Sequence, residues 1–165
     1  PVSVYDKDGK FVKTKVLDPE HANQWEAGVK ANLWDERLTL TASYYDIRVG
    51  NRSMTDPDNP LNTIQGGVER SKGVELSLTA NPLTGLNVIM GYSYNDNKIT
   101  KDAADGDYLG RRSESAGPAH MFNLWASYRF FTGALKGWSV GLGGNAASEN
   151  KILNRRSTGT FALPG

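Results

Sequence analysis

The stretch QWEAGVKANL, which spans Gln24–Leu33, decides the fold of this chain. Its odd-numbered positions are apolar, from Trp25 through Val29 to Leu33, and its even-numbered positions are polar or glycine. Successive side chains of a β-strand point to opposite faces. The stretch therefore predicts a strand that has one apolar wall and one polar wall.

The same alternation recurs in five further segments of the chain. Segments of about ten residues match the span of a tilted membrane strand. Tight turns and long loops alternate between them, which places all the tight turns at one rim, as in outer-membrane barrels. The fold class expected is therefore all-β, an antiparallel up-and-down meander that forms part of a large transmembrane β-barrel. The predicted strands are Gln24–Leu33, Leu38–Val49, Gly73–Ala80, Leu86–Ile99, Ala119–Phe130 and Trp138–Ala147.

The pattern also predicts which side chains share a face. Aromatic residues such as Trp25, Tyr94 and Trp138 lie near strand ends on the apolar face, where a membrane–water boundary favours them. The alternation changes phase after Tyr44-Tyr45, which predicts a β-bulge there. Val29, Leu40, Leu76, Val88, Leu124 and Val140 are expected on the apolar face, and Glu26, Lys30, Glu75, Asn123 and Arg129 on the polar face.

Three polar stretches, two between predicted strands and one after the last strand, each predict a long loop. The first runs from Asn51 to Asn62 and contains two prolines, and the second runs from Lys101 to Gly117 and is charged. The third runs from Ser148 to Gly165.

Composition excludes several other classes of protein. With 19 basic and 18 acidic residues the net charge is +1, so no nucleic-acid partner is expected. The chain has no cysteine, which excludes disulfides, iron–sulfur clusters and thiol catalysis. No nucleophile elbow, P-loop or metalloprotease motif occurs, so neither catalysis nor a cofactor is expected. Asp102, Asp105 and Asp107 lack the spacing of an EF-hand, so no metal site is expected.

Two motifs resemble a known family. PEHANQWEAGVK, residues 19–30, resembles the "PE…E.G.K" strand of TonB-dependent siderophore receptors, and RSKGVEL, residues 70–76, resembles their "R(S/T)(K/R)G.E.E" strand. Tyr44-Tyr45-Asp46-Ile47 lies between the two motifs, as in the family, and FALPG at 161–165 resembles the segment before a further barrel strand. The resemblance covers the chain from about Leu17 onward.

The resemblance, which is to receptors of the ferrichrome type, implies a protein of the bacterial outer membrane. Such a receptor takes up ferric siderophores with energy delivered through TonB, and its partners include outer-membrane lipid and lipopolysaccharide. Its barrel of about 22 strands surrounds an N-terminal plug. Residues 1–165 are then expected to be a partial barrel domain without the plug or the segment that contacts TonB. Six strands cannot close at that curvature, so the isolated fragment is expected to self-associate.

Tyr108, Arg111 and Arg112 are the candidate ligand-binding residues, because they lie in the long charged loop. Ferric siderophores are often anionic or rich in surface oxygen atoms, and guanidinium donors and aromatic rings suit both. The alternative is that these charges contact lipopolysaccharide phosphates or are solvated. Arg155-Arg156 is a weaker candidate of the same kind.

Two other functions remain open at this point. One is a soluble all-β ligand-binding module, for instance a carbohydrate-binding sandwich. The other is a small complete outer-membrane barrel. The alternation of short and long connections, together with the two motifs, favours the receptor.

Overall fold

The computed structural model describes residues 1–56, 58–103, 106–155 and 159–165. Six strands form one antiparallel sheet in the order β3-β4-β5-β6-β7-β8, and two further pairs form separate hairpins, β1–β2 and β9–β10. Among these residues no helix is long and apolar enough to span a membrane. The strands are β1 (Val2–Tyr5), β2 (Phe11–Lys15), β3 (His21–Leu33), β4 (Leu38–Thr55), β5 (Thr63–Ala80), β6 (Leu86–Lys101), β7 (His120–Arg129), β8 (Ser139–Ala147), β9 (Asn150–Arg155) and β10 (Gly159–Leu163).

The six-stranded sheet is an up-and-down meander, because every strand in it pairs with its neighbour in the chain. All six predicted strands are confirmed, and so is the all-β antiparallel fold class. β4 and β5 extend beyond their predicted ends, to Thr55 and back to Thr63, and they remain paired there through Met54 and Ile64. The polar loop predicted from Asn51 to Asn62 is therefore much shorter than expected.

The bulge predicted after Tyr44-Tyr45 is wrong. Pairing of β4 with both neighbours is continuous through Tyr44, Tyr45 and Asp46, and its first register shift lies between Gly50 and Arg52. The change of phase has another cause. The apolar face ends at Tyr44 and continues as a charged face at Asp46, while the backbone stays regular.

The third predicted loop, Ser148 to Gly165, is also wrong, because it contains the hairpin β9–β10. A second hairpin, β1–β2, precedes the sheet and packs on the turn between β4 and β5. Asn62 accepts a hydrogen bond at Oδ1 from the Tyr5 amide at 2.7 Å, and Asn59 Nδ2 donates to the Tyr5 carbonyl at 3.1 Å. The hairpin β1–β2 is therefore attached to the sheet at its long-loop rim.

The predicted faces are confirmed by the register of the sheet. Leu78 pairs with Leu40 on one side and Met90 on the other, and Met90 pairs with Leu124, so these side chains share the apolar face. Within the described residues no second layer covers the apolar face, since Val29 is 72% exposed and Leu142 is 80% exposed. An apolar face this open fits lipid better than water.

The apolar band lies between two belts of aromatic side chains. Tyr44 and Tyr94 border it on the side of the long loops, well below the strand ends, and Tyr128 and Trp138 border it at the tight-turn rim. On β6, Leu86 pairs with Tyr128, and eight steps separate it from Tyr94, which is about 27 Å along the strand. At a strand tilt of about 40° the band is about 20 Å tall, close to the apolar band of outer-membrane barrels.

Two aromatic rings lie across glycines on the polar face. A Cβ atom at Gly73 would lie 2.7 Å from the Tyr45 hydroxyl and 2.0 Å from the Tyr94 carbonyl, so neither ring nor backbone leaves room for a side chain. The Trp125 indole similarly covers Gly141 and Gly143, each of whose added Cβ atoms would lie within 2.6 Å of it. These rings cover backbone that the glycines leave bare.

A candidate ligand-capture layer at the long-loop rim

The loop between β6 and β7, of which residues 106–119 are described as one continuous stretch, folds over the polar face of the sheet at the long-loop rim. Its anchor is Tyr108, which is 7% exposed and packs on Ile99, itself 5% exposed. Met54 and Ile64 border this small apolar cluster. The Tyr108 hydroxyl donates to the Thr55 carbonyl at 3.4 Å, so the loop is tied to the end of β4.

A buried asparagine on β6 joins the six-stranded sheet to the middle of this loop. Asn97 is 2% exposed, and its Oδ1 accepts a hydrogen bond from the Ser113 amide at 2.9 Å. Its Nδ2 donates to Glu69 at 2.6 Å and to Ser71 at 2.7 Å, both on β5. A buried amide with all these groups satisfied fixes the position of the backbone at Ser113.

Arg112 closes the base of the loop. Its guanidinium donates to the backbone carbonyls of Asn95 at 2.6 Å, Gly117 at 3.0 Å and Pro118 at 3.1 Å. Burial lowers the pKa of Arg112, while the negative charge of Asp96 acts in the opposite direction. An arginine remains charged under such a shift. The planar fork of donors therefore ties the C-terminal end of the loop to β6.

Arg111 points to the hairpin β9–β10. Its Nη1 donates to Asn154 Oδ1 at 3.3 Å and to Thr160 Oγ1 at 3.1 Å. Asn154 is 3% exposed, and its Nδ2 donates to the Arg112 carbonyl at 2.9 Å. Within the described residues the partners of Arg111 are neutral oxygen atoms, so no carboxylate there neutralises its charge.

A small cleft remains between the loop and the sheet, lined by Met54, Ile99, Tyr108 and Arg112. Arg52 crosses it, with Nε 3.1 Å from Glu69 Oε2 and Nη2 donating to Ser115 Oγ at 3.2 Å. The cleft thus has an apolar floor and a border of paired charges.

Tyr108, Arg111 and Arg112 are thus brought together in one loop, in three different environments. Tyr108 is buried, Arg112 is occupied by backbone carbonyls, and Arg111 is half-buried next to the hairpin. Contact of these residues with a ligand stays a prediction. Asp105 and Arg156, from the two weaker candidate sites, lie outside the described residues, and no three potential metal ligands cluster in the part of the chain that is described.

Sequence reasoning missed Asn97 and Asn154, the two amides that hold residues 111–113 between the sheet and the hairpin. Asn97 lies on the polar face of β6, and nothing else in the sequence distinguishes it from the other polar residues of that face. Asn154 lies in a segment that was expected to be a loop. Only the fold places the two asparagines on either side of the same backbone.

Comparison with known proteins gives one family profile, described as TonB dependent receptor-like, beta-barrel, which matches residues 5–165. The ferrichrome outer membrane transporter/phage receptor of Escherichia coli is 34% identical over 165 residues, which are 99% of this chain and 21% of that protein. The ferrioxamine B receptor of Salmonella typhimurium is 31% identical, over 87% of this chain and 19% of that protein.

A solved structure agrees on the fold. The ferripyoverdine receptor of the outer membrane of Pseudomonas aeruginosa, bound to ferripyoverdine, has a TM-score of 0.66 and 22% identity over 90% of this chain. That alignment covers 20% of the receptor chain. The chain thus spans about a fifth of the length of the proteins that it matches.

Proposed function

The chain belongs to the TonB-dependent receptor β-barrel family, and on this premise we propose that it forms part of a receptor for TonB-dependent uptake of ferric siderophores. Proteins of this family lie in the bacterial outer membrane. Residues 1–165 are then a partial barrel domain, and siderophore, TonB and any plug belong to the function of the whole receptor. The role is transport, without a catalytic step or cofactor.

One observation carries this proposal. The sheet has an apolar face suited to lipid, and a loop lies over its opposite, polar face. No protein layer in the described part of the chain covers the apolar face, as the 80% exposure of Leu142 illustrates. A soluble ligand-binding module would bury that face in a second layer of protein. Residues 106–119 of the loop lie over the polar face, where a ligand entering the barrel from outside the cell would meet them.

Within that loop we assign Arg111 as the residue that contacts the siderophore and Tyr108 and Arg112 as the residues that position it. Arg111 keeps a charge that no carboxylate of the described residues neutralises. Tyr108 and Arg112 use their polar groups on backbone carbonyls. A guanidinium held by two neutral oxygen atoms can still offer donors to the oxygen atoms of an iron–siderophore complex.

The test is ferric-siderophore binding by cells that carry the full-length receptor, with ferrichrome and ferrioxamine B as probes because relatives of this chain are named for them. Arg111→Ala is expected to lower affinity about tenfold, the effect of one charge-assisted hydrogen bond. Lys136→Ala removes a cation from the turn at the opposite rim and is the matched control. Asn154→Ala is expected to weaken binding less, and to add little in combination with Arg111→Ala.

Equal affinity and uptake for Arg111→Ala and the native receptor would contradict the assignment of Arg111. Failure of the native receptor to bind any ferric siderophore would contradict the proposed function itself. The alanine variant of Arg112 distinguishes the two roles, because a positioning residue changes the order of the whole loop and a contact residue does not.

A further inference from the structure

The hairpin β1–β2 carries a concentration of positive charge. The segment from Asp6 to Lys15 contains four lysines and two aspartates, which leaves a net charge of +2. Lys13 and Lys15 lie two positions apart on β2, so they project from the same face of that strand. The four lysines, all of them exposed, are Lys7, Lys10, Lys13 and Lys15.

Two carboxylates near these lysines are engaged with backbone amides. Asp6 Oδ1 accepts hydrogen bonds from the amides of Asp8 at 3.0 Å and Lys10 at 2.8 Å, so this carboxylate shapes the turn of the hairpin. Glu20 Oε1 accepts a hydrogen bond from the Ser53 amide at 2.7 Å. Within the part of the chain that the structure describes, none of the four lysines forms an ion pair. Their ammonium groups are therefore open to an anion from solution.

The hairpin stands beside the loop that carries Arg111. The Tyr108 hydroxyl of that loop donates to the Thr55 carbonyl at the end of β4. The connection that follows Thr55 holds the hairpin, because Asn59 Nδ2 donates to the Asp6 carbonyl at 2.9 Å. The four lysines and Arg111 thus belong to two segments that are attached at the same end of β4.

The height of the hairpin above the membrane favours a partner in solution. Thr55, where β4 ends, lies eleven residues beyond Tyr44 of the aromatic belt. That separation is about 36 Å along the strand and about 28 Å along the membrane normal at a tilt of about 40°. The headgroup layer of a bilayer ends about 5 to 8 Å beyond the hydrocarbon. The hairpin therefore stands far above the lipid headgroups, and the anion that suits its lysines is a water-soluble one.

We propose that the hairpin β1–β2 is an encounter surface for water-soluble ferric complexes of net negative charge, and that such complexes are the substrate class of the receptor. The inference rests on the proposed function, because it takes Arg111 as the residue that holds the siderophore. Lysine ammonium groups are compact charges on flexible stems, so they attract an anion from a distance without fixing its orientation. Arg111, which is half-buried and held by two neutral oxygen atoms, binds the complex at short range.

The hairpin and Arg111 act on different rate constants. Exposed charges that steer a ligand change the association rate and its dependence on salt, whereas a charged contact that is shielded from water changes mainly the dissociation rate. A ferric complex of net positive charge is repelled by the hairpin and leaves the charge of Arg111 without a counterion. Discrimination between ferric complexes by their charge follows from both steps.

The test uses the full-length receptor in detergent with three ferric trihydroxamates that differ only in a terminal group. An ammonium, an acetamide and a succinamide carboxylate make the complex cationic, neutral and anionic, respectively. Stopped-flow binding at low and high ionic strength measures the association and dissociation rates. In the native receptor the anion is expected to associate about tenfold faster than the cation at low salt, and high salt is expected to remove most of this difference.

Replacement of the four lysines by glutamine is expected to bring the association rates of the three complexes within about twofold of one another. Replacement of the same lysines by arginine keeps the charge and is the matched control, which is expected to retain the native order of rates. Arg111→Gln is expected to raise the dissociation rate of the anion about tenfold and to leave its association rate within about twofold. The glutamine set is Lys7→Gln, Lys10→Gln, Lys13→Gln and Lys15→Gln.

Equal association of the anionic and the cationic complex with the native receptor at low salt would overturn the inference. An unchanged order of rates in the glutamine variant would overturn it as well, because the charge of the hairpin would then have no effect. Both outcomes leave the proposed function intact if the neutral complex binds and is taken up by cells. If none of the three complexes binds, the proposed function fails, and the encounter surface fails with it.

Discussion

Two parts of the molecule are held together by different means: the six-stranded sheet β3–β8, called the wall below, and residues 106–119 with the hairpin β9–β10, called the layer below. In the wall, backbone ladders pair each strand with its neighbour, and side chains alternate between lipid and lumen. In the layer, a few side chains hold backbone that makes few ladder contacts, as Asn97 does at Ser113 and Arg112 does at Gly117. The wall therefore tolerates many substitutions that keep its pattern, whereas the layer depends on particular residues.

The largest effect expected concerns the wall as a whole. In the isolated chain both β3 and β8 present unpaired backbone groups, and the apolar face is uncovered. Both features are costly in water, so the isolated chain is expected to self-associate through its edges or its apolar face. Light scattering in water, with and without detergent, measures this. A monodisperse monomer in water would mean that the apolar face is buried within the chain.

The next effect separates the two faces of the wall. Leu78 lies on the apolar face near the middle of the band, and Ser77 lies beside it on the polar face. In the full-length receptor, Leu78→Arg is expected to lower the free energy of unfolding by about 2 to 4 kcal/mol, because a cation enters lipid near the midplane. Ser77→Arg is the matched control, with an expected change below about 1 kcal/mol. Denaturant unfolding in lipid vesicles measures both, and equal effects would contradict the assigned faces.

The smallest effect concerns the layer. Arg112→Ala removes donors from the carbonyls of Asn95, Gly117 and Pro118, and the expected loss, about 1 to 3 kcal/mol in total, is confined to the stability of the loop. The expected result is faster hydrogen exchange and proteolysis in residues 106–118, with unfolding of the wall unchanged. Arg112→Lys is expected to restore little, because an ammonium lacks the planar fork. Unchanged protection of the loop would show that other contacts order it.

The sequence was sufficient for the wall because its period of two is local and repeated. Leu86, Val88 and Met90 predict a strand and its lipid face together. The wrong bulge at Tyr44-Tyr45 came from the same rule, which assumes that a face keeps its polarity along the whole strand. At Asp46 the strand leaves the apolar band, so the polarity changes while the backbone does not.

The candidate site was predictable only as a set of residues in one loop. The charged stretch from Lys101 to Gly117 identified Tyr108, Arg111 and Arg112, but their orientations depend on partners elsewhere in the sequence. Asn154 contacts the loop from a hairpin that no period-two pattern of useful length predicts. Contacts between segments so distant in the chain follow from topology, which composition and alternation do not encode.

The meander topology of the sheet has a further consequence for how the wall forms. Because each of the six strands pairs with its neighbour in the chain, every ladder closes a hairpin, and no strand waits for a partner made much later. Contacts of such low sequence separation cost little loop-closure entropy and form early. The wall can therefore grow one hairpin at a time from either edge, and the order of strands around the barrel follows the order of their synthesis.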